Sequence, residues 1–460
     1  MEFLRRLLPT CSVALACFSL LRLAVAQAAT VAPVTSLMQP PSAPVDLKFD
    51  FGMGAAQPGF THVPATAVYA DDVGYGFGPA SAASSGGGPA SNEKRVPFSV
   101  KVPEGNYTVT VRLGDPAAMS TTTIEAESGR LMLERVQVPA GQTLERSFTT
   151  NVRTPQLAKL PLNATGREEV SLDQFDAGNK LDWDHRLTVE VVGDHAAVQS
   201  MEIVSAPETP TVFLAGDSTM TDRDGGGDVS WGQMLPVFLK AGVAVANHAQ
   251  SGETMKSFAN ALRLDKILSQ MKKGDYLFMQ FAHNDSKIAW PQTYVEAETT
   301  YKAYLKVYIA EARLRGATPV LVTAMDRGDR KTGAPTHGHG GYPEAMREVA
   351  REEHVPLIDL YKMSIAFYEA AGTDAPKILA DGTHSTAYGG YEFAKCIVMG
   401  IKENRLPLAG YIVDDFKGFD PAHPDSAAAL NLGPLFSAGA PRGPRPGTAP
   451  AAGNPGPGPL

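Results

Sequence analysis

Thr211-Val-Phe-Leu-Ala-Gly-Asp-Ser-Thr219 is the stretch that decides the fold. Its first five residues form an apolar, strand-like run, as expected of a buried strand in a covered sheet. The run stops at Gly216, and Ser218 falls on the sharp turn that follows. Open α/β sheets collect their ligands at the carboxyl ends of the strands, so a serine there is exposed where chemistry is done. A Gly-Asp-Ser turn is equally an ordinary helix N-cap. The stretch by itself leaves both readings open.

Two further runs repeat the pattern. Val243-Ala-Val-Ala-Asn247 reads as a second buried strand and is followed by Gln250-Ser-Gly-Glu-Thr254. Asp275-Tyr-Leu-Phe-Met-Gln-Phe281 reads as a third and is followed by Ala282-His-Asn-Asp285. Thr318–Ala324 and Val355–Asp359 continue the series. Between the third and fourth, Tyr301, Tyr304, Leu305, Tyr308, Ile309 and Ala312 recur at helical spacing on one face. Strands alternating with helices predict a parallel sheet covered on both sides.

The loops carry the parts of an acyl-transfer site. A serine hydroxyl needs a base to take its proton and a third group to orient that base. Asp381-Gly-Thr-His384 holds both residue types three apart on one loop. Gly252 frees a backbone N–H for close approach, and Asn284 brings a side-chain amide. Together with the Ser218 N–H these are the donors of an oxyanion hole. An isolated Asp-x-x-His also fits a metal pair or a surface loop, but no Cys cluster or His-Glu-x-x-His run accompanies it. No metal and no cofactor are expected. His283, next to Asn284, is a candidate for lining the substrate pocket, with a structural hydrogen bond as its alternative. His337 and His339 lie on a Gly-rich loop expected to be flexible and solvated. Trp231 is expected to pack rather than bind sugar.

In these blocks the chain resembles the SGNH (GDSL-type) hydrolases, on Ser218, Gly252, Asn284 and His384, with Asp381 completing a triad. Leu214–Thr219, Trp231–Leu235, Phe281–Asp285, Tyr342–Arg347, Val355–Leu360 and Asp381–His384 resemble the rhamnogalacturonan acetylesterases in particular. The resemblance implies a three-layer α/β/α, flavodoxin-like domain with catalytic Ser218, His384 and Asp381. It also implies an oxyanion hole from Ser218, Gly252 and Asn284. One departure is Ala282, where that family usually carries glycine, which puts the φ/ψ freedom of the loop in question.

Ahead of this part, Val45–Phe51, Val96–Val102, Asn106–Arg112 and Arg186–Val192 alternate apolar and polar residues, the pattern of an all-β sandwich. Phe51-Gly-Met-Gly54, Tyr69 and Tyr75-Gly-Phe77 resemble the galactose-binding-like domains of related esterases. Tyr75 and Trp183 are candidate sugar platforms, with ordinary packing as the alternative. The expected divisions are a signal peptide over 1–26, a linker over 27–44, the sandwich over 45–205, the hydrolase domain over 206–425 and a disordered Pro/Gly/Ala-rich tail over 426–460. The hydrolase segment holds the whole constellation, so the sandwich is expected to add nothing to small-ester chemistry.

Arg5-Arg6, an apolar run and Ala24-Val-Ala26 mark the leader. Its loss removes three basic residues and one acidic, taking the formal net charge from −8 to −10. Such a balance argues against nucleic acid or an anionic membrane as partner. Cys11 and Cys17 leave with the leader, so Cys396 has no disulfide partner within the chain. The expectation is a secreted protein, extracellular or periplasmic, acting on acetylated plant polysaccharide, most plainly pectic rhamnogalacturonan. A lipolytic esterase or lysophospholipase of the same superfamily is the alternative enzyme. An inactive polysaccharide-binding protein is the alternative of another class. Asn106, Asn163 and Asn284 each begin a glycosylation sequon.

Overall fold

In the computed structural model of the chain, residues 44–52, 57–78, 95–158, 166–174, 176, 181–193, 195–223, 227–430 and 432 are described. The leader, the linker up to residue 43, the Gly/Ala/Ser-rich loop 81–91, the Asn163 sequon and the tail beyond residue 432 lie outside them.

The first part contains β1 (Asp46–Asp50), β2 (Thr61–His62), β3 (Tyr75–Phe77), β4 (Arg95–Lys101), β5 (Gly105–Leu113), β6 (Ser120–Ala126), β7 (Arg130–Val138), β8 (Leu144–Val152), β9 (Arg186–Val192) and β10 (Val198–Ser205). Two five-stranded sheets result, ordered β2-β1-β10-β5-β8 and β3-β4-β9-β6-β7. The strands alternate faces, as their sequences do. On β5, Tyr107, Val109, Val111 and Leu113 are buried, while Thr108, Thr110 and Arg112 between them are only partly so. Phe49, Phe98, Ile124, Phe148 and Val189 meet them in one apolar core. Tyr75 packs on Phe49 there, with ring centroids 5.1 Å apart, so its ring belongs to the core.

The second part carries β11 (Thr211–Gly216), β12 (Ala244–Asn247), β13 (Tyr276–Gln280), β14 (Thr318–Val322) and β15 (Leu357–Ile358). They form a parallel sheet in the order β12-β11-β13-β14-β15. The three-layer fold expected from the sequence is borne out. The strand order switches at β11, with β12 added on one side and β13 on the other, so the crevice of this sheet opens at the carboxyl ends of β11 and its neighbours.

Alternate strand residues serve the two helical layers. Val212, Leu214, Val245, Phe278, Val320 and Val322 pack toward α1 (Trp231–Met234), α6 (Leu360–Ala370) and α7 (Ala387–Glu403). Phe213, Ala215, Ala246, Leu277, Met279 and Leu321 pack toward α2 (Met255–Asn260), α3 (Arg263–Gln270), α4 (Lys302–Leu314) and α5 (Tyr342–Glu352). Cys396 lies buried in α7, as core packing predicts. Beyond the boundary expected at 425, α8 (Ala427–Leu430) and buried Leu432 still pack on this core. The composition of the tail hid those few apolar contacts.

The sandwich and the α/β part are joined by buried polar contacts. Asn106 Nδ2 donates to Thr211 Oγ1 at the start of β11 (2.8 Å), which buries the side chain its sequon would offer to a glycan. Arg130, 1% exposed at the start of β7, pairs through Nε with Asp222 of the α/β part at 2.6 Å. Losing one partner of such a pair typically costs about 3–5 kcal/mol, because the other charge is left buried.

Candidate active site

Ser218 follows β11 by two residues, and the local sequence explains its setting. Gly216 lies so close to β13 that an added Cβ would meet the Gln280 carbonyl oxygen at 2.7 Å, so only glycine fits. The Asp217 carboxylate accepts from the Thr219 N–H at 2.9 Å and the Thr219 hydroxyl at 2.8 Å, closing the turn. The indole of Trp231 donates to Gln280 Oε1 (2.8 Å), and Gln280 Nε2 donates to Thr219 Oγ1 (2.5 Å). Trp231 is fully buried, so it braces this turn from within.

Tertiary folding brings the distant loop to the serine. His384 Nε2 is 2.8 Å from Ser218 Oγ, and His384 Nδ1 is 2.7 Å from Asp381 Oδ2. Asp381 Oδ1 accepts the backbone N–H groups of Thr383 (3.0 Å) and His384 (2.9 Å). Burial acts to raise the Asp381 carboxyl, but the hydrogen bond and charge of His384 and those two amides hold it well below the usual carboxylate range. An ionised Asp381 draws the imidazole proton to Nδ1 and leaves Nε2 free to accept from the serine.

The three expected donors sit on the loops after β11, β12 and β13. Gly252 has φ +86, a conformation that disfavours side chains, and no atom lies within 4 Å of where a Cβ would stand. Among the described residues no backbone carbonyl takes up the Ser218 or Gly252 N–H. Asn284 Nδ2 gives one hydrogen to the Glu253 carbonyl (3.0 Å), and an amide nitrogen carries a second. Lys287 Nζ donates to Asn284 Oδ1 at 2.7 Å, fixing which end of the amide is its donor. Residue reasoning missed Lys287, although its place three after Asn284 in one turn is a usable signal. Thr254 closes the Gly252 loop by capping α2: its Oγ1 accepts from the Ser257 N–H (3.1 Å) while Ser257 Oγ accepts from the Thr254 N–H (2.9 Å).

Ala282 adopts φ +152, backbone that glycine tolerates far better, so the methyl is held there under strain by its surroundings. The imidazole of His283 is buried, 1% exposed. It meets His339 edge-on, with centroids 4.4 Å apart, and burial pushes its basicity well below the ordinary value. His339 corrects the expectation of a solvated loop: it is 1% exposed and bonds the Met325 carbonyl through Nε2 at 2.8 Å. The loop is pinned because the Asp326 carboxylate accepts the N–H groups of Thr336, His337 and Gly338. His337 is exposed, as expected. Among the described residues no three His, Cys, Asp or Glu side chains are grouped to hold a metal ion.

Asp285 ends the third block in the interior. Burial pushes its carboxyl up to about 8, and the nearby Asp217 carboxylate adds to this against the Met255 N–H it accepts at 2.9 Å. A carboxyl raised in the fold is neutral there while already ionised in the unfolded chain. Its contribution to stability is therefore complete below the unfolded value near 3.9 and drains away as pH rises toward 8. Asp285→Asn keeps the acceptor for Met255 and cannot ionise. Its Tm relative to the native chain is expected to climb between pH 5 and pH 8, by about 2–4 °C for each kcal/mol. A difference that stays constant with pH would show that the carboxyl is ionised throughout.

The sandwich contacts the loop that carries Ser218. Asp222, paired with Arg130, belongs to the same loop as Ser218, and Asn247 at the end of β12 donates to it at 2.7 Å. Trp183 is no free platform either. Its indole N–H bonds Asp176 at 3.1 Å, and the Arg153 guanidinium lies over its ring at 4.7 Å.

Residues 214–390 match the GDSL-like Lipase/Acylhydrolase family, and residues 47–160 match the beta-agarase/YXIM esterase-like, galactose-binding domain-like family. Over 212 residues the chain is 39% identical to the probable rhamnogalacturonan acetylesterase YesY of Bacillus subtilis (strain 168), a span of 44% of this chain and 98% of YesY. It is 36% identical over 221 residues to the rhamnogalacturonan acetylesterase RhgT of the same organism, spanning 44% of this chain and 94% of RhgT. The uncharacterized esterase YxiM, also from Bacillus subtilis, is 27% identical over 387 residues, 79% of this chain and 92% of YxiM.

Proposed function

We propose that this chain, which belongs to the GDSL-like lipase/acylhydrolase (SGNH) family and is a carboxylic ester hydrolase, removes acetyl groups from a plant polysaccharide, rhamnogalacturonan. The observation that carries the reading is the Asp381–His384–Ser218 hydrogen-bond chain after β11, with Gly252 and Asn284 on the loops that follow the neighbouring strands β12 and β13. The similarity to YesY and RhgT supports an acetylated carbohydrate as substrate.

In the proposed reaction Ser218 Oγ attacks the acetyl carbonyl carbon as His384 Nε2 takes the hydroxyl proton. The carbonyl oxygen becomes an oxyanion, held by the Ser218 and Gly252 N–H groups and the second hydrogen of Asn284 Nδ2. Collapse breaks the ester bond. His384 gives its proton to the departing sugar alkoxide, which leaves as a hydroxyl, and the acetyl group remains on Ser218 as an ester. A water then attacks that ester with His384 again as base, and acetate leaves as His384 returns the proton to Ser218 Oγ. Asp381 stabilises the imidazolium in both halves without taking the proton.

Asn284→Ala is expected to slow turnover of a small acetyl ester by roughly 10²–10³-fold, the worth of one donor to a developing oxyanion. KM should change little, because the contact strengthens only in the transition state. A raised KM at native turnover would make Asn284 a ground-state binder instead. The substrate is tested by acetate release from acetylated pectin, xylan and mannan side by side. Preference for xylan or mannan would remove rhamnogalacturonan from the reading while leaving the esterase. We extend the proposal to secretion, on the leader pattern of residues 1–26; among the described residues no helix is long and apolar enough to cross a membrane.

A further inference from the structure

Two of the three proposed oxyanion donors are linked, through intervening residues, to a single side chain of the sandwich. Asp176 lies between β8 and β9 and is 4% exposed. Its Oδ1 accepts from Gln250 Nε2 at 2.5 Å, and Gln250 Oε1 in turn accepts the Ser251 N–H at 2.6 Å. Gln250 and Ser251 are the residues immediately before Gly252. The other oxygen, Oδ2, pairs with Arg263 at 2.5 Å, and Arg263 Nε lies 3.3 Å from Glu253 Oε1. The Glu253 carbonyl is the acceptor that holds Asn284 Nδ2. Gln250, Glu253 and Arg263 are 2%, 7% and 1% exposed, so these contacts are shielded from bulk solvent.

The loop needs such support. Gly252 sits at positive φ with an N–H that no backbone carbonyl among the described residues holds, so its own chain does little to fix the direction of that donor. A donor to an oxyanion must stand within about 0.5 Å of its working position, and a misplacement of about 1 Å costs on the order of 100-fold in rate.

We propose that Asp176 is a positioning residue for the oxyanion hole, so that the sandwich completes the active site of the neighbouring domain. The proposal rests on the Ser218 reading given above. Two arms leave the carboxylate, one through Gln250 to the Gly252 N–H and one through Arg263 and Glu253 to the Asn284 amide. Asp176→Asn keeps the size and one acceptor oxygen but loses the charge that Arg263 meets. Gln250→Met cuts the first arm and leaves the Asp176–Arg263 pair intact.

The test uses the full chain, 4-nitrophenyl acetate as substrate and phenylboronic acid as a tetrahedral adduct former on Ser218, with a thermal melt for every variant. In folded Asp176→Asn, kcat is expected to fall about 10- to 100-fold while KM moves less than about threefold. Boronate affinity should weaken in step with kcat. The loss should shrink when Asn284 is already alanine, because both changes act on one hole. A merely structural residue would lower Tm and the folded fraction, leaving kcat per folded molecule and boronate affinity unchanged; that result overturns the proposal. If Asp176→Asn does not fold, Gln250→Met decides by the same criteria. Ser218→Ala, run in parallel, separates the two readings. An inactive Ser218→Ala beside a fully active Asp176→Asn sinks only the positioning role, whereas an active Ser218→Ala sinks the triad on which it rests.

Discussion

Ser218→Ala is expected to lower kcat on a small acetyl ester by roughly 10⁴- to 10⁶-fold while the protein stays folded. The size follows from what the hydroxyl does. In the proposed reaction it is the atom that bonds the acetyl group, and its 2.8 Å contact with His384 Nε2 is the route by which the proton leaves. Removing one oxygen from a side chain at the rim of the sheet opens no sizeable cavity. The Asp217–Thr219 bonds that shape the turn do not involve it. Tm should therefore move by only a few degrees. The residual rate is what the intact donors and substrate binding provide. Near-native turnover in a folded variant would show that another group attacks the ester, and the triad would have to be abandoned.

Asp381→Asn is expected to cost on the order of 10⁴-fold in kcat, with KM close to native. An asparagine can keep its Oδ1 on the Thr383 and His384 N–H groups, so the 381–384 loop retains its shape. Its NH₂ then faces Nδ1, where the carboxylate accepts at 2.7 Å in the native chain. A donor in that place forces the imidazole proton onto Nε2, and the ring no longer accepts from Ser218. The imidazolium of the transition state also loses its counter-charge. The check is steady-state kinetics beside a melt. A folded Asp381→Asn with turnover within tenfold of native would mean that His384 takes its orientation from elsewhere. The acidic limb of stability gives a second reading of the same contact. A carboxyl held below its unfolded value stabilises the fold above about pH 4 and loses that contribution as pH falls, and Asp381→Asn should lack this dependence.

The sequence by itself determined the layers and picked out the groups proposed to react. Apolar runs such as Thr211–Ala215 and Asp275–Phe281 specify buried strands because burial on both faces leaves no room for alternation. The helix of Lys302–Leu314 was legible from its 3.6-residue spacing. Ser218, Gly252, Asn284, Asp381 and His384 stood out because each follows a strand or shares a short loop, where local pattern and chemistry coincide. The oddity of Ala282 was visible as a departure in residue type, and it became a positive φ in the structure.

Only the tertiary structure decided what stands behind those groups. Arg130 and Asp176 lie 88 and 42 residues before Ser218, on a part of the chain whose β pattern says nothing of the α/β loops. Their partners Asp222, Gln250 and Arg263 are polar residues that look solvent-facing in sequence, and they are buried because two domains close over them. His339 was hidden for the same reason: a Gly-rich loop looks mobile until the Asp326 carboxylate, ten to twelve residues earlier, gathers its amides. Periodicity and turn chemistry act between neighbours in the chain. The direction of an oxyanion donor depends instead on long-range hydrogen bonds between buried side chains, and those exist only once the chain has folded.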